Sequence, residues 1–143
     1  MTPRSSVAMP STPLPQVAAP AGGELLGTWV LETTAELRVL RAGVHQVVHG
    51  PRSVSGPVAL VASELATNAL RHGTPPATVT LRHGVATYVL DVADGAVDAV
   101  PVLAARRPLG EGGFGLYVVG RLADEVGWYL ADGRKHVWAA LAR

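Results

Sequence analysis

The stretch SELATNALRHG, Ser63 to Gly73, sets a carboxylate, a carboxamide and an imidazole at intervals of four: Glu64, Asn68 and His72. A glutamate can take or orient a proton. An asparagine offers a neutral carbonyl oxygen to a hard cation such as Mg²⁺, which prefers oxygen ligands and keeps several waters. Further on, LDVADG closes with acceptor-only Asp94 and flexible Gly95. GEGGFGL, Gly110 to Leu116, then puts consecutive glycines ahead of a helical pattern. Glycines let backbone N–H groups approach an anion, and a helix N-terminus favours phosphate. Each feature alone has a plain reading: a solvated helix flank for the i, i+4 set, and a turn for Asp94-Gly95. Their order and spacing together are much harder to obtain by chance.

The elements that must position these residues follow from periodicity. GTWVLE, Gly27 to Glu32, reads as a strand. Thr33 and Glu36 have capping-box spacing, and Leu37, Leu40, Val44, Val47 and Val48 recur at helical intervals, so the first helix is expected to run to about His49. Pro57 suits the first turn of a second helix that carries SELATNALRHG and stops at Gly73 and Pro75. On that helix Val58, Val61, Ala62, Leu65 and Ala69 form the buried face. Glu64, Asn68 and His72 advance by only about 40° per step along its border, the place where a helix meets another layer. ATVTLR and VATYVLDV around His83-Gly84 read as a hairpin, and GWYL and KHVWAAL around Asp132-Gly133 as a second. A short helix, FGLYVVGRLADEV, lies between them. This order predicts an α/β two-layer sandwich, with helices on one face of a mixed, largely antiparallel sheet.

Composition sets bounds. Of the 143 residues, 12 are Lys or Arg and 11 are Asp or Glu. The basic residues are scattered, which gives no nucleic-acid footprint. There is no cysteine, so a disulfide framework and Cys-ligated metal sites are excluded. No apolar run approaches the length of a membrane span, and a cytoplasmic protein is expected. Residues 1–24 hold five prolines among Ser, Ala and Gly, and this stretch is expected to be a disordered tail before a domain over 25–143. His45 and His49 have zinc-compatible spacing but no third ligand, and a surface pair is the simpler reading. Gly110, Gly112 and Gly115 match a dinucleotide fingerprint in letters only, because VPVLAARRPL before them does not read as a buried strand. Trp29, Trp128 and Trp138 fall in predicted strands, where sheet packing explains them.

Taken together, these motifs resemble the ATP-binding proteins of the Bergerat (GHKL) fold, and within them the bacterial anti-sigma factor serine/threonine kinases. SELATNALRHG resembles that family's N box, VADG its first glycine box, GGFGLYVV its second, and RKHVWAAL its closing strand. The resemblance spans about Gly27 to Leu141. It implies ATP and Mg²⁺ held between helices and sheet under a lid over roughly Ala96 to Gly112. Glu64 would be the catalytic carboxylate, Asn68 the Mg²⁺ ligand and Asp94 the acceptor of the adenine amino group. Gly113 and Gly115 would approach the phosphates, and His72, Gly95 and Leu116 complete the implied cofactor-binding set. The implied activity is phosphorylation of a serine on a STAS-domain anti-anti-sigma protein, with sequestration of a sigma factor and room for a homodimer. Direct nucleic-acid or membrane binding is not implied. The chain departs from the pattern at Ala96 where a glycine is usual, at Glu111 where an Arg is frequent, and at His136 where a Thr is common. A nucleotide-responsive regulator without phosphotransfer is the alternative. A detached histidine-kinase ATPase domain is disfavoured, since no dimerisation helix with a phosphoacceptor His precedes the fold.

Overall fold

The computed structural model describes residues 12–21, 23–103 and 116–143. In chain order the elements are β1 (Thr12–Pro13), β2 (Glu24–Leu31), a 3₁₀ turn (Thr34–Glu36), α1 (Leu37–Val47), α2 (Arg52–His72), β3 (Ala77–His83), β4 (Thr87–Asp94), β5 (Val102–Leu103), α3 (Leu116–Leu122), β6 (Glu125–Ala131) and β7 (Arg134–Ala142). The main sheet has the order β2-β3-β4-β7-β6, with every neighbouring pair antiparallel. The helices pack on one face of it, as the sequence pattern predicts.

Local chemistry explains most of the element ends. The Glu36 carboxylate accepts the N–H groups of Glu32 (2.7 Å) and Thr33 (3.0 Å), which satisfies donors that open the first helical turn. These backbone donors hold its carboxyl below the usual range. Asp132 (φ 55) and Gly133 (φ 72) both take the left-handed region, the geometry of the two-residue hairpin turn between β6 and β7. α2 begins at Arg52, earlier than Pro57 suggests, with Pro51 at its N-cap and Pro57 inside the helix. The extra turn is held from outside: Ser55, buried within it, hydrogen-bonds His45 of α1 through Oγ and Nδ1 at 2.6 Å. That contact gives His45 a helix-joining role. α3 is shorter than FGLYVVGRLADEV suggests. Asp124 instead bonds the last strand, its N–H to Ala140 O (2.8 Å) and its Oδ2 from Ala142 N–H (2.6 Å), so the chain turns into β6 there.

The core lies between helices and sheet. Leu40 and Val44 of α1, Val58, Val61, Ala62, Leu65 and Ala69 of α2, and Val79, Leu81, Leu90 and Val92 of the central strands are all buried in one cluster. Each such Val or Leu contributes roughly 1.5–3 kcal/mol relative to exposure. Trp29, Trp128 and Trp138 stand in β2, β6 and β7, as packing elements of the sheet.

The segment before β2 corrects the expectation of a disordered tail through residue 24. β1 pairs antiparallel with β5, and Leu14 N–H donates to Pro101 O at 3.0 Å. Gln16 forms a parallel bridge to Trp128, with Val17 N–H to Trp128 O (2.8 Å) and Trp128 N–H to Pro15 O (3.0 Å). The indoles of Trp128 and Trp138 donate to Leu14 O (3.1 Å) and Val17 O (2.8 Å). Leu14 itself is buried. A proline-rich segment cannot order itself, but the open edge of β6 presents unpaired backbone groups that recruit it. Gly127 makes room: a Cβ there would sit 2.8 Å from both Trp138 and Val17.

Candidate functional site

Asp94 ends β4 and is buried, 2% exposed. Among the described residues, both backbone donors that reach its carboxylate go to Oδ1, from Ala96 N–H at 2.6 Å and Thr74 N–H at 3.4 Å. Ala96, where the family pattern has glycine, thus uses its backbone rather than its side chain. On the other oxygen, Oδ2, Lys135 Nζ stands 3.7 Å away. Gly73 is the C-cap of α2, and a Cβ there would meet the Asp94 carboxyl at 2.6 Å. The helix bearing Glu64, Asn68 and His72 therefore ends directly against the Asp94 carboxylate, and glycine is the residue that permits it. Gly95 follows, exposed, and its N–H donates to Thr74 O at 3.0 Å. This bond ties the loop after α2 to the start of the expected lid.

Glu64 and Asn68 are half-buried on α2, between the fully buried Leu65, Ala66 and Ala69 and solvent. His72, one turn further on, is exposed in the last helical turn. Leu116 opens α3. Gly113, Gly115 and Glu111 lie outside the described residues. The donor set present fits a nucleotide with its cation. A buried, acceptor-only carboxylate sits at one end of α2, and a neutral amide oxygen borders the same helix a turn away. A single protein oxygen suits Mg²⁺, which takes most of its remaining ligands from phosphates and water.

His136 is a correction from the structure. In β7 it pairs with Ala93, on the face of the sheet opposite the helices, whereas Lys135 pairs with Asp94 on the helix face. Strand parity makes Lys135, not His136, the neighbour of the site. His136 Nδ1 bonds Asp91 Oδ1 at 2.8 Å, the Tyr129 hydroxyl donates to Asp91 Oδ2, and the two rings stack with centroids 4.6 Å apart. The bond to Asp91 pushes the imidazole up, against the opposing effect of burial. Burial first, then the same carboxylate, pushes the Tyr129 phenol well up. A cavity of about 350 Å³ beside this cluster is bounded by Ala18, Pro20, Thr80, Arg82, Asp91 and Tyr129. It lies on the side of the sheet away from Glu64 and Asn68.

Two layers, with an antiparallel sheet whose central carboxylate meets the C-terminus of an asparagine-bearing helix, define an ATP-binding module of the Bergerat type. The family of the histidine kinase-like ATPase domain matches residues 30–141, and the chain belongs to that family. Its ATPase domain implies ATP binding. No curated protein matches the chain. Among the described residues, no helix is long and apolar enough to cross a membrane.

Sequence reasoning missed Lys135. It stands between Arg134 and His136 at the polar start of RKHVWAAL, and nothing in that pattern announces its burial.

Proposed function

We propose that this chain is an ATP- and Mg²⁺-dependent regulatory protein serine/threonine kinase of the anti-sigma factor type, acting in the cytoplasm on a STAS-domain antagonist and binding a sigma factor. The observation that carries the nucleotide part is the contact of Gly73 with Asp94, which joins the helix of Glu64 and Asn68 to the buried carboxylate. In this reading Asp94 accepts from the adenine amino group, and the Asn68 carboxamide oxygen holds Mg²⁺, which neutralises phosphate charge when bound. Glu64, four residues before Asn68, orients and deprotonates the serine hydroxyl of the antagonist. Phosphoryl transfer asks mainly for positioning and charge neutralisation, so a single general base on α2 suffices.

The test is single-turnover transfer from labelled ATP to STAS-domain proteins, with and without Mg²⁺. Transfer from the parent supports the kinase. Glu64→Ala is expected to slow it by about 10²–10⁴-fold while ATP affinity changes little. ATP binding without transfer to any partner leaves the nucleotide-responsive regulator in its place.

A further inference from the structure

Lys135 is 4% exposed and pairs across the sheet with Asp94, a carboxylate that is 2% exposed. A buried ion pair is rarely the most stable filling for such a place; hydrophobic residues of similar volume do as well or better. The pair therefore asks for another reason. Among the described residues, the ammonium lies 3.7 Å from Asp94 Oδ2 and donates to Ala99 O at 3.2 Å. Ala99 belongs to the segment Gly95 to Val100 that follows Asp94, and Pro101 beyond it is buried. One side chain thus joins the carboxylate to the chain that leaves it.

We propose that Lys135 is the positioning residue that sets base selectivity. It fixes Asp94 Oδ2 and the Ala99 backbone around the edge of the base. This rests on the reading of Asp94 as the group that meets the adenine amino group. A carboxylate accepts from an amino group but repels a carbonyl oxygen. The ammonium braces Oδ2 from one side, in a place nearly closed to water, so the acceptor stays aimed at the base edge. Sites that pair a buried polar group with its ligand discriminate strongly, because the wrong ligand leaves the group unpaired.

The experiment compares ATP with inosine triphosphate, which carries a carbonyl where ATP has the amino group, by calorimetry on the full chain. The parent is expected to prefer ATP by a large factor. Lys135→Met, similar in length and uncharged, is expected to lower that preference by about tenfold or more, and Lys135→Arg to restore most of it. A folded Lys135→Met with the parent's preference overturns the role of Lys135 and leaves the reading of Asp94 standing. A parent that binds both nucleotides equally, or neither, instead removes the reading of Asp94 and the proposal with it. Removing one partner of a buried pair is costly, so Lys135→Met can fail to fold. In that event the parent decides alone. The ¹⁵N signal of its Lys135 ammonium is expected to shift on addition of ATP and to stay in place on addition of inosine triphosphate. An unmoved signal with ATP overturns the proposal.

Discussion

Asp91 and Asp94 lie three residues apart on the same strand and face opposite sides of the sheet, each with a nitrogen-bearing partner supplied by adjacent residues of β7. Asp94 is 2% exposed and looks toward the helices, with Lys135 beside it and backbone N–H groups on Oδ1. Asp91 looks away from them, has a side chain 16% exposed, and has both oxygens taken by the side chains of His136 and Tyr129. The two carboxylates differ in what their surroundings leave open. On Asp91, two side-chain donors close both oxygens, and the rings of those donors stack on each other, so the group is consumed in holding β4, β6 and β7 together. On Asp94, the backbone donors converge on one oxygen at the point where a helix, a strand and an irregular segment meet. Chemistry follows that difference more than it follows residue type.

The largest effect that would break the comparison is on nucleotide affinity. Asp94→Asn is expected to weaken ATP binding by about 10²-fold or more, since an amide can present a donor where an acceptor is required. The same change at Asp91 is expected to leave affinity within about threefold of the parent, because that group faces the other side of the sheet. Titration calorimetry on both variants decides it. Equal losses would mean the two faces are not functionally distinct.

The next effect falls on the segment that covers the edge of β6. Leu14→Ala removes a buried side chain and is expected to cost about 2–3 kcal/mol of folding stability, read by urea denaturation. A cost below about 0.5 kcal/mol, the level of an ordinary surface change, would show that the segment is not part of the fold. Asp91→Asn comes third. It exchanges two charge-assisted bonds for neutral ones and is expected to cost about 1–2 kcal/mol in the same assay, without altering ATP affinity.

These expectations also mark where the sequence was legible. The Asp132-Gly133 turn, the Thr33–Glu36 capping signal, the buried face of α2 and the border position of Glu64 and Asn68 are local patterns, and local physics determines them. The ordered segment from Thr12 to Pro20 is not local. Its composition opposes order, and its stability comes from β6 and from two indole donors more than a hundred positions away in the chain. The start of α2 was hidden because Pro57 suits a first turn, whereas the extra turn depends on the Ser55–His45 contact between helices. The faces of Lys135 and His136 were hidden for a different reason. β7 is buried on both sides, with Val137, Ala139 and Leu141 in the main core and Trp138 and Ala140 in a second cluster. A strand without polar alternation does not announce which residues face which layer.

The smallest effect is a pH dependence, and it concerns only the face of Asp91. His136 is held above its usual value near 6.5, chiefly by the hydrogen bond to Asp91, with burial and Arg134 opposing. A group whose folded value is raised contributes stability that is fully present below its unfolded value and fades as pH rises through the folded one. The charged and titratable neighbours on this face include Asp91, Tyr129, Arg82 and Arg134, with Asp132 near Tyr129. Tyr129, pushed well up, stays a neutral donor across the range, and His136, raised from a value near 6.5, is the group that carries the dependence. The difference in melting temperature between the parent and Asp91→Asn is therefore expected to be largest below pH 6.5 and to narrow as pH is raised above it. A gap that stays constant from pH 5.5 to 8.5 would mean that the His136 charge adds nothing to the fold. A narrowing gap together with unchanged ATP affinity at every pH would separate the two faces of β4 most cleanly, because it would place the titration wholly on the side that the nucleotide does not reach.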